Sequence, residues 1–184
     1  MFKASYIPNL ICGVRFVLVA PIVFSLLSGD FLSALVLIFV AGFSDGLDGY
    51  LAKNFQWRTR LGGILDPLAD KLLLVSVIMT LTWLGLSPVW LACVVIGRDL
   101  IIVTGGTVYN FLIGPVEPDP SLISKLNTGF QLLYMLIVIS HQAFGWPGSI
   151  GILVIGAGVF VTSVISGLDY VLRWSSKALA AGRT

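Results

Sequence analysis

With 184 residues, of which 57% are apolar and only 11% are charged, this chain is short enough for one domain and too apolar for a water-soluble protein. The composition therefore predicts an integral membrane protein. The net charge of +2 decides little, because in a membrane protein the placement of Lys and Arg matters more than their sum.

Six apolar stretches follow one another along the chain, and each has the length of about twenty residues that spans about 30 Å of hydrocarbon. They are predicted as transmembrane helices near residues 8–28, 31–53, 64–86, 88–113, 122–142 and 148–172. Polar or glycine-containing breaks separate them. The sequence thus predicts an all-α membrane protein with six transmembrane helices, forming a single transmembrane domain over residues 1–184.

Most basic residues lie at alternate ends of these stretches, which is the bias typical of cytoplasmic loops. They are Lys3, Lys53, Arg58, Arg60, Lys125, Arg173, Lys177 and Arg183. The turns after the first, third and fifth stretches contain no Lys or Arg. Both termini are therefore predicted to be cytoplasmic. The five Trp residues all lie at predicted helix ends, as in an interfacial aromatic belt.

Four carboxylates interrupt the apolar pattern, at Asp45, Asp48, Asp66 and Asp70. The members of each pair are three or four residues apart, so on a helix each pair shares one face. A hairpin of two helices would point all four acids at one another, which is tolerated near a bilayer only if cations lie among them. The pattern therefore predicts a pair of divalent cations, whose usual task is phosphate chemistry.

Simpler interpretations compete with these functional ones. The acids could be solvated at the interface, or they could pair with Arg58 and Arg60. Arg98 and Asp99, near the middle of the fourth stretch, indicate either a structural intramembrane pair or a substrate contact. Neighbouring residues of a helix point in different directions, so Arg98 and Asp99 are not expected to pair well with each other.

The stretch from Asp45 to Asp70 reads D-x2-D-G-x2-A-K-x8-G-x3-D-x3-D and resembles the signature of the CDP-alcohol phosphatidyltransferase family. The family normally has Arg in place of Lys53, which keeps its charge but lacks the planar fork for phosphate. Further similarity lies in Ile7-Pro8-Asn9 with Arg15 and Pro21, in Gly97-Arg98-Asp99, and in Ser124-Lys125-Leu126-Asn127-Thr128 with Gln131.

The resemblance implies a CDP-alcohol phosphatidyltransferase fold of six transmembrane helices, usually a homodimer, with catalysis at the cytoplasmic face. We expect the membrane to be a bacterial inner membrane. The resemblance also implies that an alcohol attacks CDP-diacylglycerol and that CMP leaves, with two Mg2+ or Mn2+ ions as cofactors. By resemblance Asp45, Asp48 and Asp66 are metal ligands, and Asp70 is the general base that also touches the second ion. The implied binding residues for the nucleotide and its phosphates are Gly49, Ala52, Lys53 and Gly62.

The acceptor alcohol is less clearly indicated. The segments GRDLII and SKLNTGFQ are most similar to cardiolipin synthases of this family, which use phosphatidylglycerol. Relatives that use glycerol 3-phosphate usually have Glu at the place of Asp99 and a GK-x-K-T pattern in helix five, so phosphatidylglycerophosphate synthesis is the alternative. Either acceptor contains a phosphate, for which Arg98 and Lys125 are candidate ligands.

A cation-binding membrane transporter is an alternative of a different class. Transport sites usually lie near the bilayer midplane between inverted repeats, whereas these acids crowd one interface and the sequence shows no internal repeat. The expected partners are thus the two lipid or alcohol substrates, the bilayer and a second copy of the chain, with no nucleic acid.

Overall fold

A computed structural model describes the backbone of residues 7–54, 62–112 and 121–181, and the side chains of residues 13–44, 68–108 and 121–173. The described residues form helices and turns, with no strand among them. The helices are α1 (Ile7–Leu27), α2 (Phe31–Asn54), α3 (Gly62–Trp83), α4 (Val89–Leu112), α5 (Leu122–Phe144) and α6 (Ser149–Ala181). The prediction of an all-α chain with six helices is confirmed.

Three of the helices are long and apolar enough to cross a membrane, judged on the described side chains alone. They are the segments Val89–Val108, Leu122–Phe144 and Ser149–Arg173. Shorter apolar segments lie in α1 and α2, at Gly13–Leu27 and Phe31–Ser44. Large apolar side chains project outward from these helices, for example Phe24 at 74% exposure and Phe39 at 72%. An outer surface of this kind is suited to lipid rather than to water.

The first of two compact units takes in the described residues up to Leu86 together with Met135–Trp146. Within this unit, α1 packs against both α2 and α3. The buried face of α1 is a stripe at helical spacing, formed by Arg15, Val19, Ile22 and Leu26. An arginine therefore stands at one end of a stripe that is otherwise apolar.

The second unit takes in Ser87–Tyr134 and the described residues from Pro147 onward, and within it α4 packs against α6. Two glycines of α6 lie against aromatic rings of α5. A Cβ atom on Gly158 would lie 2.9 Å from the ring of Phe130, and one on Gly156 would lie 3.2 Å from the ring of Tyr134. These small residues therefore allow the rings of α5 to approach the backbone of α6.

The turn between α1 and α2 is fixed by a glycine and an acidic cap. Gly29 has φ +77°, and the N–H of Asp30 donates to the carbonyl of Ser25 at 2.9 Å, which closes α1 with a Schellman motif. Oδ1 of Asp30 then accepts the backbone N–H of Ser33 at 3.1 Å, which caps the first turn of α2. One short turn thus ends the first helix and starts the second.

We expect the stabilising contribution of the Asp30 cap to depend on pH. Hydrogen bonds from the side chain and the backbone N–H of Ser33 lower the pKa of Asp30 from its ordinary 3.8. Because the folded pKa is the lower one, the contribution is fully present above pH 3.8 and is lost as the pH falls through the folded value. Asp30→Asn keeps a capping oxygen that does not titrate, so its melting temperature should match wild type at neutral pH and fall less on acidification. Equal losses in the two proteins would contradict this origin of the acid sensitivity.

Candidate active site

The acids of α2 lie in register with its buried face. Helix α2 is continuous through this region, and its buried residues there are Ala34, Ile38 and Ala41. Asp45 and Asp48 continue the same spacing of three to four residues. Because α1 packs on α2, the helical period places positions 45 and 48 on the same face as the residues buried in the first unit.

Positions 66 and 70 lie in register with a buried stripe of α3. They precede Leu73 and Val77 at helical spacing, and both of those apolar side chains are buried. Among the predicted metal and nucleotide residues, Asp70 is the one whose side chain the structure describes. The side chains of the other predicted metal and nucleotide residues lie outside the described residues: Asp45, Asp48, Asp66, Gly49, Ala52, Lys53 and Gly62.

Asp70 forms an ion pair with Arg15 of α1, in which Nη1 of the arginine donates to Oδ1 of the aspartate. The two partners differ sharply in environment, because the Arg15 side chain is 1% exposed and the Asp70 side chain is 44% exposed. Arg15 lies eight residues after Ile7, and Asp70 lies eight residues after Gly62. The charged pair therefore joins the first halves of α1 and α3.

Arg15 has no assigned role among the sequence predictions, yet it holds the predicted catalytic acid. A buried guanidinium needs a partner, because taking a charge out of water costs far more than packing an apolar group. A basic residue within an apolar segment was the available signal. The geometry thus adds Arg15 to the candidate site.

The predicted donor set fits a hard divalent cation, because carboxylate oxygens are the ligands that Mg2+ and Mn2+ prefer. Among the side chains that the structure describes, no three His, Cys, Asp or Glu residues lie close enough together to hold a metal ion. Three of the four predicted acids lie outside that part of the chain. The two-cation site therefore stays a prediction.

A second buried charge lies in the second unit, at Arg98 of α4, which is 6% exposed. Its guanidinium bonds to three helices. Ser166 of α6 accepts from Nε at 3.2 Å and from Nη2 at 2.7 Å, and Ser124 of α5 also accepts from Nη2. Asp99 of α4 accepts from Nη1 at 2.6 Å. Arg98 therefore holds α4, α5 and α6 together within this unit.

The pairing of Arg98 with Asp99 shows that one expectation from the sequence is wrong. Neighbouring residues of a helix do leave the backbone in different directions, but the long side chain of Arg98 turns its guanidinium back onto the adjacent carboxylate. Four of the five N–H groups of Arg98 are used in these contacts. Lys125, the other candidate for the acceptor phosphate, is exposed. An acceptor phosphate on Arg98 would have to replace some of its present partners, and this role stays a prediction.

The described residues thus form apolar helices, and a charged pair includes Asp70, the last residue of the acidic motif. A family model described as CDP-alcohol phosphatidyltransferase matches residues 5–168. The chain therefore belongs to the CDP-alcohol phosphatidyltransferase family. Membership in this membrane family, together with three helices able to span a bilayer, identifies an integral membrane protein.

The names of similar proteins give either cardiolipin as the product or glycerol 3-phosphate as a substrate. A human cardiolipin synthase (CMP-forming) is 29% identical over 180 residues, which cover 89% of this chain and 60% of the relative. A probable cardiolipin synthase (CMP-forming) of Drosophila melanogaster is 34% identical over 142 residues, covering 68% and 44%. A CDP-diacylglycerol–glycerol-3-phosphate 3-phosphatidyltransferase of Aquifex aeolicus is 35% identical over 136 residues, covering 72% and 74%. The chain thus spans less than two thirds of the two animal relatives.

Proposed function

We propose that this chain transfers a phosphatidyl group from CDP-diacylglycerol to phosphatidylglycerol, which yields cardiolipin and CMP. The observation that carries the proposal is the ion pair of Asp70, the last acid of the motif, with the buried Arg15. The names of the human and Drosophila relatives support both the reaction and the product.

In the proposed reaction, Asp70 accepts the proton of the attacking hydroxyl. The hydroxyl oxygen forms a bond to the phosphorus that carries diacylglycerol, and the bond from that phosphorus to the bridging oxygen breaks. CMP leaves with the electron pair of the broken bond. Arg15 holds the carboxylate of Asp70 through a charge-assisted hydrogen bond, so the base is oriented before the substrate arrives.

The remaining predicted residues would bind the nucleotide and its cofactors. Asp45, Asp48, Asp66 and Asp70 would hold two Mg2+ or Mn2+ ions. When bound, such ions neutralise the negative charge of a pyrophosphate and of its leaving group. The backbone at Gly49, Ala52 and Gly62 would admit the nucleotide, since these positions have little or no side chain, and Lys53 would lie near the phosphates.

The proposal includes an orientation and an assembly. The proposal places the chain in a bacterial inner membrane. The placement of Lys and Arg at alternate helix ends supports two cytoplasmic termini and an active site facing the cytoplasm. Membership in the family supports a homodimer and favours an enzyme over the transporter considered from the sequence.

Glycerol 3-phosphate is the second candidate acceptor. The relative from Aquifex aeolicus, whose name contains this alcohol, is matched over 74% of its length, more than either animal relative. The proposed reaction on phosphorus is the same for both acceptors, so the acidic motif does not distinguish them.

An assay of CMP release tests the proposal and its acceptor. The purified chain in detergent micelles receives CDP-diacylglycerol with either phosphatidylglycerol or glycerol 3-phosphate. We expect CMP and cardiolipin with phosphatidylglycerol, loss of both when EDTA removes divalent cations, and recovery on addition of Mg2+ or Mn2+. Consumption of glycerol 3-phosphate alone would show that the acceptor is wrong. If no CMP is released with either alcohol, the proposed reaction is wrong.

A further inference from the structure

The inner face of α5 in the second unit is polar along its length. Ser124, Asn127, Gln131 and Tyr134 follow one another at helical spacing, and the last three are at most 3% exposed. At one end of this face, Ser124 accepts a hydrogen bond from Arg98. At the other end, the Tyr134 hydroxyl lies 3.1 Å from the hydroxyl of Ser87. The protein therefore satisfies both ends of the polar face.

In the middle of the polar face, the side-chain amide of Asn127 has only part of its hydrogen bonds. Oδ1 of Asn127 accepts from Thr162 Oγ1 at 2.9 Å and from Ser163 Oγ at 2.8 Å. Its Nδ2 is buried and has no hydrogen-bond partner among the described residues. Turning the amide over would give Nδ2 the two hydroxyls and leave the oxygen unpaired instead, so one polar atom of Asn127 lacks a partner in either orientation.

Gln131 repeats the deficit one helical turn further along. Its Nε2 is also buried and also lacks a hydrogen-bond partner among the described residues. A membrane-spanning segment has no bulk water to supply the missing bonds, and an unpaired buried amide is unfavourable. Two such amides on one face, between ends whose side chains have hydrogen-bond partners, indicate that a bound molecule completes their hydrogen bonds, with acceptor oxygens where an N–H is the unpaired group.

The charges nearby limit what that molecule can be. Arg98 is ion-paired with Asp99 at 2.6 Å, so this pair brings no net charge to the polar face. Amide N–H groups are uncharged donors, and they suit hydroxyl or ester oxygens as acceptors. We infer that Asn127 and Gln131 bind the glycerol portion of a lipid substrate through its hydroxyl or ester oxygens. The lipids that could supply it, CDP-diacylglycerol and phosphatidylglycerol, rest on the proposed function.

The variant Gln131→Leu tests whether the side chain of Gln131 contacts a lipid substrate or has no role in binding. Leu is apolar and similar in size, and its introduction breaks no hydrogen bond of Gln131 Nε2 within the described protein. We expect the lipid-free variant to melt at the same temperature as wild type or higher, because a buried unpaired donor is gone. The KM for one lipid substrate should rise about tenfold or more, while kcat changes little.

Two kinetic series identify the source of the glycerol oxygens. The KM for phosphatidylglycerol is measured at saturating CDP-diacylglycerol, and the KM for CDP-diacylglycerol is measured at saturating phosphatidylglycerol. The lipid whose KM rises in Gln131→Leu is the one that Gln131 contacts. Tyr134→Phe is the matched control, because it removes a satisfied hydroxyl from the same face of α5. It should lower the melting temperature and leave both KM values unchanged.

A binding measurement decides the inference without turnover. Each lipid is added to the purified protein, and the rise in melting temperature is recorded. The inference expects a rise in wild type that Gln131→Leu reduces for one lipid. Unchanged KM values together with equal rises would overturn it, and an ordered water on the amide would produce that result. If wild type releases no CMP at all, the proposed function fails by itself, and the lipid-induced rise still tests the inference.

Discussion

Asp70→Asn is expected to reduce CMP release by a factor on the order of 10²–10⁴, which is the contribution typical of a positioned general base. The amide cannot accept the proton of the attacking hydroxyl. The same change leaves the buried guanidinium of Arg15 without this carboxylate, so the free energy of unfolding should fall by about 3 kcal/mol. CMP release under saturating substrates and denaturant-induced unfolding in detergent measure the two effects.

Asp30→Asn is the matched control for this substitution. It makes the same chemical change in the turn between α1 and α2, where the residue caps a helix and takes no part in the proposed reaction. Its rate of CMP release should equal that of wild type. If Asp70→Asn folds and retains more than about a tenth of the wild-type rate, Asp70 is not the base.

The positions of the helices along the chain were predictable because the apolar stretches are long and clear breaks separate them. Five helices begin and end within three residues of the predicted boundaries. The last helix is the exception, because α6 continues to Ala181 rather than ending near residue 172. The prediction stopped where apolar residues give way to charged ones, but the backbone hydrogen bonds of a helix do not require an apolar surface.

The charged contacts were predictable only in part. The sequence identifies Asp70 and Arg98 as unusual residues, because ionisable groups in apolar segments are costly. It does not show which partner each one finds. Arg15 and Asp70 are 55 residues apart in the sequence, and their pairing depends on how α1 packs against α3. Arg98 and Asp99 are adjacent, and their pairing depends on how the long arginine side chain turns.

The hydroxyl groups of α6 show a further limit of sequence reasoning. A Ser or Thr in an apolar helix commonly bonds to its own backbone, as Thr104 does to the carbonyl of Leu100 at 2.6 Å. Ser163 and Ser166 instead bond to Asn127 and Arg98. Nothing in the local sequence separates the two kinds of hydroxyl, because the difference lies in which helix is opposite.

Arg15→Met should lower the rate of CMP release and leave the free energy of unfolding nearly unchanged, whereas Asp70→Asn should lower both. Methionine extends the apolar stripe of Val19, Ile22 and Leu26, and a buried ion pair replaced by apolar packing is often neutral or stabilising. Asp70 is 44% exposed and tolerates the loss better than a buried charge would, so the free energy of unfolding should change by less than about 1 kcal/mol. The rate should still fall about 10–100-fold, because the base is no longer held in place. A fall in kcat with unchanged KM values identifies positioning, whereas an unchanged kcat would contradict it.

The double variant Arg15→Met with Asp70→Asn separates the two roles of the pair. The stability lost in Asp70→Asn is expected to come mainly from the lost ion pair between the buried guanidinium and Asp70, so removing that guanidinium should restore most of about 3 kcal/mol. The rate should stay as low as in Asp70→Asn, because no base is regained. Additive losses of stability would instead show that the two side chains contribute independently. In that case the contact between them would not be what joins α1 to α3.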